Sequence, residues 1–278
     1  MTTPAWTPEP PAAEPAEVRR RHAANRVAWN EAAQRYSEGL PEAVAELRAG
    51  RSSVHPVERA ALGDLALWCR RAIHLQCASG RDTLSLLLEG AQEVVGVDIS
   101  EVQVANARAT AAAIGAPARF HHCDVLDTPH SLDGTADLVY TGRGALCWIH
   151  DLAAWAHVVA RLLRPGGVVS VFDGHPAGWL FDQDAAEPVA SGVDYFGHAE
   201  SNVGWPTTYI GELDVPPSTK HERLWPIGDV VQALIDAGLT ITRLEERPDE
   251  YWTVFPAMPE ELRRRIPMTF LLHARRPA

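Results

Sequence analysis

At 278 residues and 30.3 kDa the chain can bury a full core, either as one large α/β domain with additions or as two small domains. Its formal net charge of -11 and sequence pI near 5.5 argue against a protein that grips nucleic acid by neutralising phosphates, so the expected partner is a small molecule. Cys69, Cys77, Cys123 and Cys147 stand singly beside apolar runs, which excludes a CxxC metal cage and suits buried thiols in a reducing cytoplasm, and no apolar run is long enough to cross a bilayer.

In chain order, residues 1–16 are rich in Pro, Ala and Glu and are expected to form a disordered or extended lead-in. Residues 17–70 are helical in flavour. Within them "VRRRHAANRVAWNEAAQRYSEGL" offers Val27, Trp29, Ala33 and Tyr36 in a loose helical pattern, a cover or lid for the rest of the chain. Over 71–173 short apolar runs alternate with helical segments: strands near 72–77, 93–98, 118–123, 136–141 and 167–173, helices near 81–90, 100–114 and 151–164. That alternation predicts a doubly wound, mainly parallel sheet with helices on both faces.

Residues 174–225 break the rhythm and read as an insertion after the fifth strand. They hold Trp179, Phe181, Tyr195, Phe196, Trp205, Tyr209 and Trp225 without helical or strand periodicity, and a loop that long in a compact domain is usually functional. The core resumes over 226–278: Pro226 starts a helix whose core face is Val230, Val231, Leu234 and Ile235, Gly238 ends it, and "LTITRLEE" and "PMTFLLHARRP" are two more strands.

In a doubly wound sheet a ligand sits beyond the carboxyl ends of the strands, where the first turn approaches it and an acid after the second strand takes the ribose hydroxyls. Gly80 marks that turn and Asp98, 18 residues on, closes "EVVGVD". Asp98 could instead cap the helix that begins near Ser100. A dinucleotide fingerprint needs G-x-G-x-x-G, and "QCASGRD" has Gln76 and Ala78 where two of those glycines would stand. This counts against a nicotinamide-dependent oxidoreductase and suggests a ligand with no pyrophosphate on the turn.

With "HLQCASGRDTLSL", "VVGVDIS", "FHHCDVLD" and "LLRPGGVVSVFD" in this order, the chain resembles class I S-adenosylmethionine-dependent methyltransferases of the small-molecule, natural-product type over roughly residues 20 to 277. The resemblance implies a Rossmann-like fold with S-adenosylmethionine as cofactor. Gln76, Ala78 and Gly80 would run along its methionine part, Asp98 with Ile99 beside its ribose, and Asp124 with Val125 at its adenine. Asp82 would either cap the next helix or sit near the methionine end. The family usually has an acid at His74 and glycines at Gln76 and Ala78; a methyl group at Ala78 suits a negative φ, whereas a positive φ there would be costly.

Methyl transfer from a sulfonium is an in-line displacement, for which the protein mainly aligns the partners and excludes water. The resemblance puts the N-terminal helix over the cofactor, so Tyr36 and Trp29 are expected to border cofactor and acceptor. Simple packing is the alternative for both. Arg143 could grip an acceptor carboxylate or phosphate, or be a surface arginine in a turn. His175, directly after "VFDG", is the candidate general base, with Tyr36 beside it in the catalytic set. Tyr195, Trp205 and Tyr209 are candidate substrate-binding residues, and His198 and His221 are rivals to His175. No His and acid spacing such as HExxH appears, so no metal is expected. These readings amount to a cytoplasmic enzyme, compatible with a homodimer, that methylates carbon, nitrogen or oxygen of a small aromatic or heteroaromatic metabolite, an indole-type acceptor among them. The alternatives are a non-catalytic S-adenosylmethionine-binding protein and an NAD-dependent oxidoreductase.

Overall fold

The computed structural model describes residues 6–206, 210–213 and 215–278. In chain order, strand β1 (Thr7–Glu9) precedes helices α1 (Pro15–Glu38), α2 (Leu40–Arg48) and α3 (Pro56–Leu62). A proline opens the first turn of each helix, where its missing N–H is no loss. The alternating part is β2 (Arg71–Leu75), α4 (Arg81–Leu88), β3 (Glu93–Asp98), α5 (Glu101–Ile114), β4 (Ala118–His122), β5 (Ala136–Gly142), α6 (Leu152–Leu162) and β6 (Leu163–Gly174). After it come β7 (Ala199–Val203), β8 (Thr219–Arg223), α7 (Ile227–Asp236), β9 (Thr240–Arg247), α8 (Glu260–Arg263) and β10 (Thr269–Arg275).

The main sheet has the order β4-β3-β2-β5-β6-β10-β9, parallel from β4 to β6 and antiparallel where β10 inserts between β6 and β9. Alternate side chains supply its two cores. Ile73, Leu75, Val95, Val97, Val139, Val169 and Val171 pack against Trp155 and Val159 of α6 and Leu234 of α7. On the other face Ala72, Val94 and Leu138 meet Leu62 of α3 and Leu86 of α4, while Leu84, Val104 and Ala107 close over Phe120. Strand order reverses between β2 and β5, which opens a crevice at their carboxyl ends.

The insertion and the lead-in depart from the sequence reading. β7 and β8 form a second, antiparallel sheet, and β1 joins its edge with Pro8 opposite Glu200, so part of the expected disordered or extended lead-in is an ordered strand. α1 lies along β8, where Asn25 exchanges hydrogen bonds with the His221 backbone at 2.7 and 2.8 Å. Among the described residues no helix is long and apolar enough to cross a membrane.

Candidate active site

A cavity of about 1300 Å³ opens at the carboxyl ends of β2, β3, β5 and β6, roofed by α1 and walled by β7 and β8. The turn after β2 enters it with left-handed backbone at Gln76 (φ 58), Ala78 (φ 45) and Gly80 (φ 76). The negative φ that would suit a methyl group at Ala78 is therefore not adopted. The turn has the shape that glycines would give, at a cost of about 1–2 kcal/mol for each L residue held there. Its surroundings impose that shape: Ala78 N donates to Asp98 Oδ2 at 2.8 Å, Cys77 N to Val97 O at 3.0 Å, and Gln76 Nε2 to Ala145 O at 2.7 Å. At Gly80 a Cβ would lie 2.7 Å from Ala107 Cβ and 2.9 Å from the Phe120 ring, so this position keeps its glycine.

Asp98 ends β3 inside the cavity. Its Oδ1 accepts from Ser100 N at 2.9 Å and Oδ2 from Ala78 N, while Ser100 Oγ caps α5 by accepting from Gln103 N. Asp98 thus braces both turns, and burial pushes its carboxyl up to about 6 although these amides favour the anion. Ile99 follows it in the cavity wall. Asp124 lies one strand away beside the buried Val125, its Oδ1 accepting from Leu126 N at 2.9 Å. Oδ2 faces α1, 2.8 Å from His22 Nδ1 and 2.9 Å from Arg19. Since the His150 amide donates to His22 Nε2, His22 Nδ1 carries the proton given to Asp124, and this contact helps hold Asp124 below the usual carboxylate range despite burial.

These groups fit an adenosine. Two acids at adjacent strand ends retain acceptor capacity, and Gln76 Oε1 and both polar atoms of Gln103 are buried in the cavity lining without hydrogen-bond partners. Asp98 would hold the ribose, Asp124 and Val125 the adenine end, and the Gln76–Gly80 turn the methionine part.

At the far side of the turn the polar groups are occupied among themselves. His74, standing where an acid is usual, contacts Thr83 Oγ1 at 2.8 Å, and burial depresses its imidazole to about 4, so it is neutral. Asp82 accepts from Ser53 Oγ at 2.5 Å and pairs with Arg143, and it does not cap α4. Arg143, itself left-handed at φ 54, also donates to Ser53 O and lies 3.8 Å from the fully buried Glu58. Arg143 lines the cavity, where its guanidinium braces Asp82 and the 53–58 segment. Gly142 before it could not be replaced, since a Cβ would run into Phe172 O.

His175 lines the cavity. Its Nδ1 accepts from Ala177 N at 3.0 Å and its Nε2 lies 2.7 Å from Glu246 Oε1, so both nitrogens are engaged in holding the end of β6 and neither is available as a base. Tyr195, expected at the substrate, is outside the cavity lining and accepts from Ile227 N through its hydroxyl. Tyr209 lies outside the described residues. Trp29, Tyr36 and Trp205 do line the cavity, and Trp29 contacts Trp148 and Trp205 at ring separations of 5.3 and 4.6 Å. His198 and His221 pair with Glu200 and Glu9.

Several lining residues escaped the sequence reading. His22 and Asn25 share the α1 stripe of Trp29, at spacings of three and seven, a signal available in the sequence. Asp173, the acid one residue before the end of β6, accepts from the amides of Gly144, Ala145, Leu146 and Gly174 and so shapes the loop after β5. Glu200, Asn202, Lys220 and Glu222 come from β7 and β8, whose polar inward faces carry no strand signature.

A parallel sheet extended by an antiparallel β10, reversing its order beside a cavity with acids at the ends of successive strands, defines the class I S-adenosylmethionine-dependent methyltransferase fold. Residues 72–167 match the family described as a methyltransferase domain. The chain superposes on an S-adenosylmethionine-dependent methyltransferase from Mesorhizobium loti with a TM-score of 0.54 and 26% identity, covering 80% of this chain and 96% of that one. An S-adenosylmethionine-dependent methyltransferase from Clostridium acetobutylicum (TM-score 0.54, 13% identity, 77% and 87% covered) and geranyl diphosphate C-methyltransferase from Streptomyces coelicolor (0.53, 16%, 86% and 83%) share the fold. Residues 72–167 are a methyltransferase domain, and the chain is an enzyme with S-adenosylmethionine as its cofactor.

Proposed function

We propose that the enzyme methylates a small metabolite with an aromatic or heteroaromatic body, seated between the Gln76–Gly80 turn and the Trp29, Trp148 and Trp205 cluster. The observation that carries the cofactor half of this reading is the turn itself: left-handed backbone persists at Gln76 and Ala78 without glycine, and such strain is kept where a site needs the shape. The aromatic wall, and a neighbour of the same fold that is a geranyl diphosphate C-methyltransferase, support a metabolite acceptor.

S-adenosylmethionine supplies an electrophilic methyl group on a sulfonium. The chain's own residues bind and align. Asp98 accepts the ribose hydroxyls, the strained turn sets the depth of the methionine arm, and α1 with the tryptophans excludes water from the line of displacement. A proton acceptor is needed only for an acceptor atom that carries a proton, and His175 is too fully engaged to serve.

Calorimetric titration with S-adenosylhomocysteine tests the site. One-site binding is expected, weakened at least a hundredfold by Asp98→Ala, with no binding of NAD. Equal affinity in Asp98→Ala, or a preference for NAD, overturns the reading.

A further inference from the structure

β7 and β8 place Glu200 directly opposite Glu222 and Asn202 opposite Lys220, and all four line the cavity. Like charges facing each other across a strand pair destabilise it, the more so when buried, and Glu200 is only 7% exposed. Nothing in sheet formation calls for this arrangement.

The internal contacts leave a specific deficit. Asn202 Nδ2 donates to Glu200 Oε1 at 3.1 Å and to Glu222 Oε1 at 3.0 Å; Lys220 Nζ donates to Glu222 Oε1 at 3.2 Å; His198 Nε2 lies 2.5 Å from Glu200 Oε2. Asn202 Oδ1, on the same amide, is buried and has no partner. Two carboxylates stand against one ammonium, and acceptors outnumber donors. Burial and the facing Glu222 push the Glu200 carboxyl upward, the direction of a group short of positive charge. Trp205 carries the Lys220 ammonium 5.2 Å from its ring centre, beside Trp29 and Trp148. Aromatic faces next to acids suit a cation with several N–H groups. Among the described residues no group of three or more His, Cys, Asp or Glu side chains is set to hold a metal ion.

We propose that Glu200, Asn202 and Glu222 form the acceptor's recognition site and that they select a protonated amine, the tryptophans taking its apolar body. The proposal rests on the methyltransferase reading and adds the acceptor's charge. The wall packs against the Leu146–Trp148 turn that follows β5, and that turn also lines the cavity.

The test is calorimetry on protein saturated with S-adenosylhomocysteine, using benzylamine, phenethylamine and tryptamine, each beside the alcohol of the same skeleton. At least one amine should bind tenfold or more tightly than its alcohol, and Glu222→Gln and Glu200→Gln should each erase that preference. Thermal unfolding with and without S-adenosylhomocysteine checks that the variants fold and still bind the cofactor product. Equal binding of amine and alcohol, a preference for the alcohol, failure of all three amines, or a preference that survives both variants overturns the proposal. In each of these cases S-adenosylhomocysteine still binds; its failure to bind the unaltered protein would instead remove the cofactor reading.

Discussion

At Asp98 a single proton links the cofactor to pH. Burial brings the carboxyl up to about 6, so in the ligand-free protein its contribution to stability is present at low pH and is lost as pH rises towards 6. Ribose hydroxyls need the ionised acceptor, which reverses the sign for binding. S-adenosylhomocysteine affinity should hold from pH 8 to 6.5 and fall by up to about tenfold per unit below 6, and Asp98→Asn should flatten that slope. Calorimetry across this range reads it directly, and an unchanged slope in Asp98→Asn would sink the assignment. Ala78 gives a second residue-scale expectation. Ala78→Gly relieves about 1–2 kcal/mol of left-handed strain while freeing the unfolded chain by about 0.4–1 kcal/mol. The variant should therefore match or exceed the original in stability, by up to about 1.6 kcal/mol; a clear loss in a thermal melt would contradict the backbone geometry. Residues of this kind also mark what the sequence could disclose. Asp98 and Asp124 line one cavity, and Gly80 closes the turn that enters it, because an acid or glycine at the end of an apolar run has few places to go. Asp173, in "VFDG", follows the same rule two residues before His175. Positive φ at Gln76 and Ala78 was not legible, since nothing in their side chains asks for it.

Among the elements, the strands of the main sheet were legible because parallel strands buried on both faces read as apolar runs, as "VVGVD" and "DLVYTG" do. β7, "AESNV", and β8, "TKHER", turn charged and amide side chains towards the cavity, so hydrophobic alternation cannot reveal them. β1 was hidden for a related reason: of Thr7, Pro8 and Glu9 only Thr7 favours a strand, and the strand exists because β7 offers it an edge and His221 a partner for Glu9 at 2.9 Å. Removing residues 1–13 should therefore loosen the small sheet and leave the large one intact. Hydrogen exchange should rise at 199–203 and 219–223 and stay unchanged at 71–75 and 136–142; uniform acceleration across both sets would show that the sheets unfold as a unit.

At the scale of the molecule, the two sheets depend on the chain in opposite ways. β1 borders the small sheet, whereas β10 lies inside the large one, paired on both sides over its full length with β6 and β9. Phe270, Leu271, Leu272 and Ala274 are at most 1% exposed, and the strand closes the core beside α7. Deleting residues from Thr269 onward should abolish cooperative unfolding and give aggregated protein, while the 1–13 deletion stays soluble; the pair of melts distinguishes a peripheral strand from a structural keystone. The position of β10 also fixes an order of events during synthesis. β9 leaves the ribosome with its sole neighbour in the sheet still unmade, and β6 waits with an open edge for the same segment. Every nascent chain therefore passes through a stage at which two unpaired edges are presented to the cell's chaperones and to other nascent copies, and that stage ends only when residues 269–275 emerge.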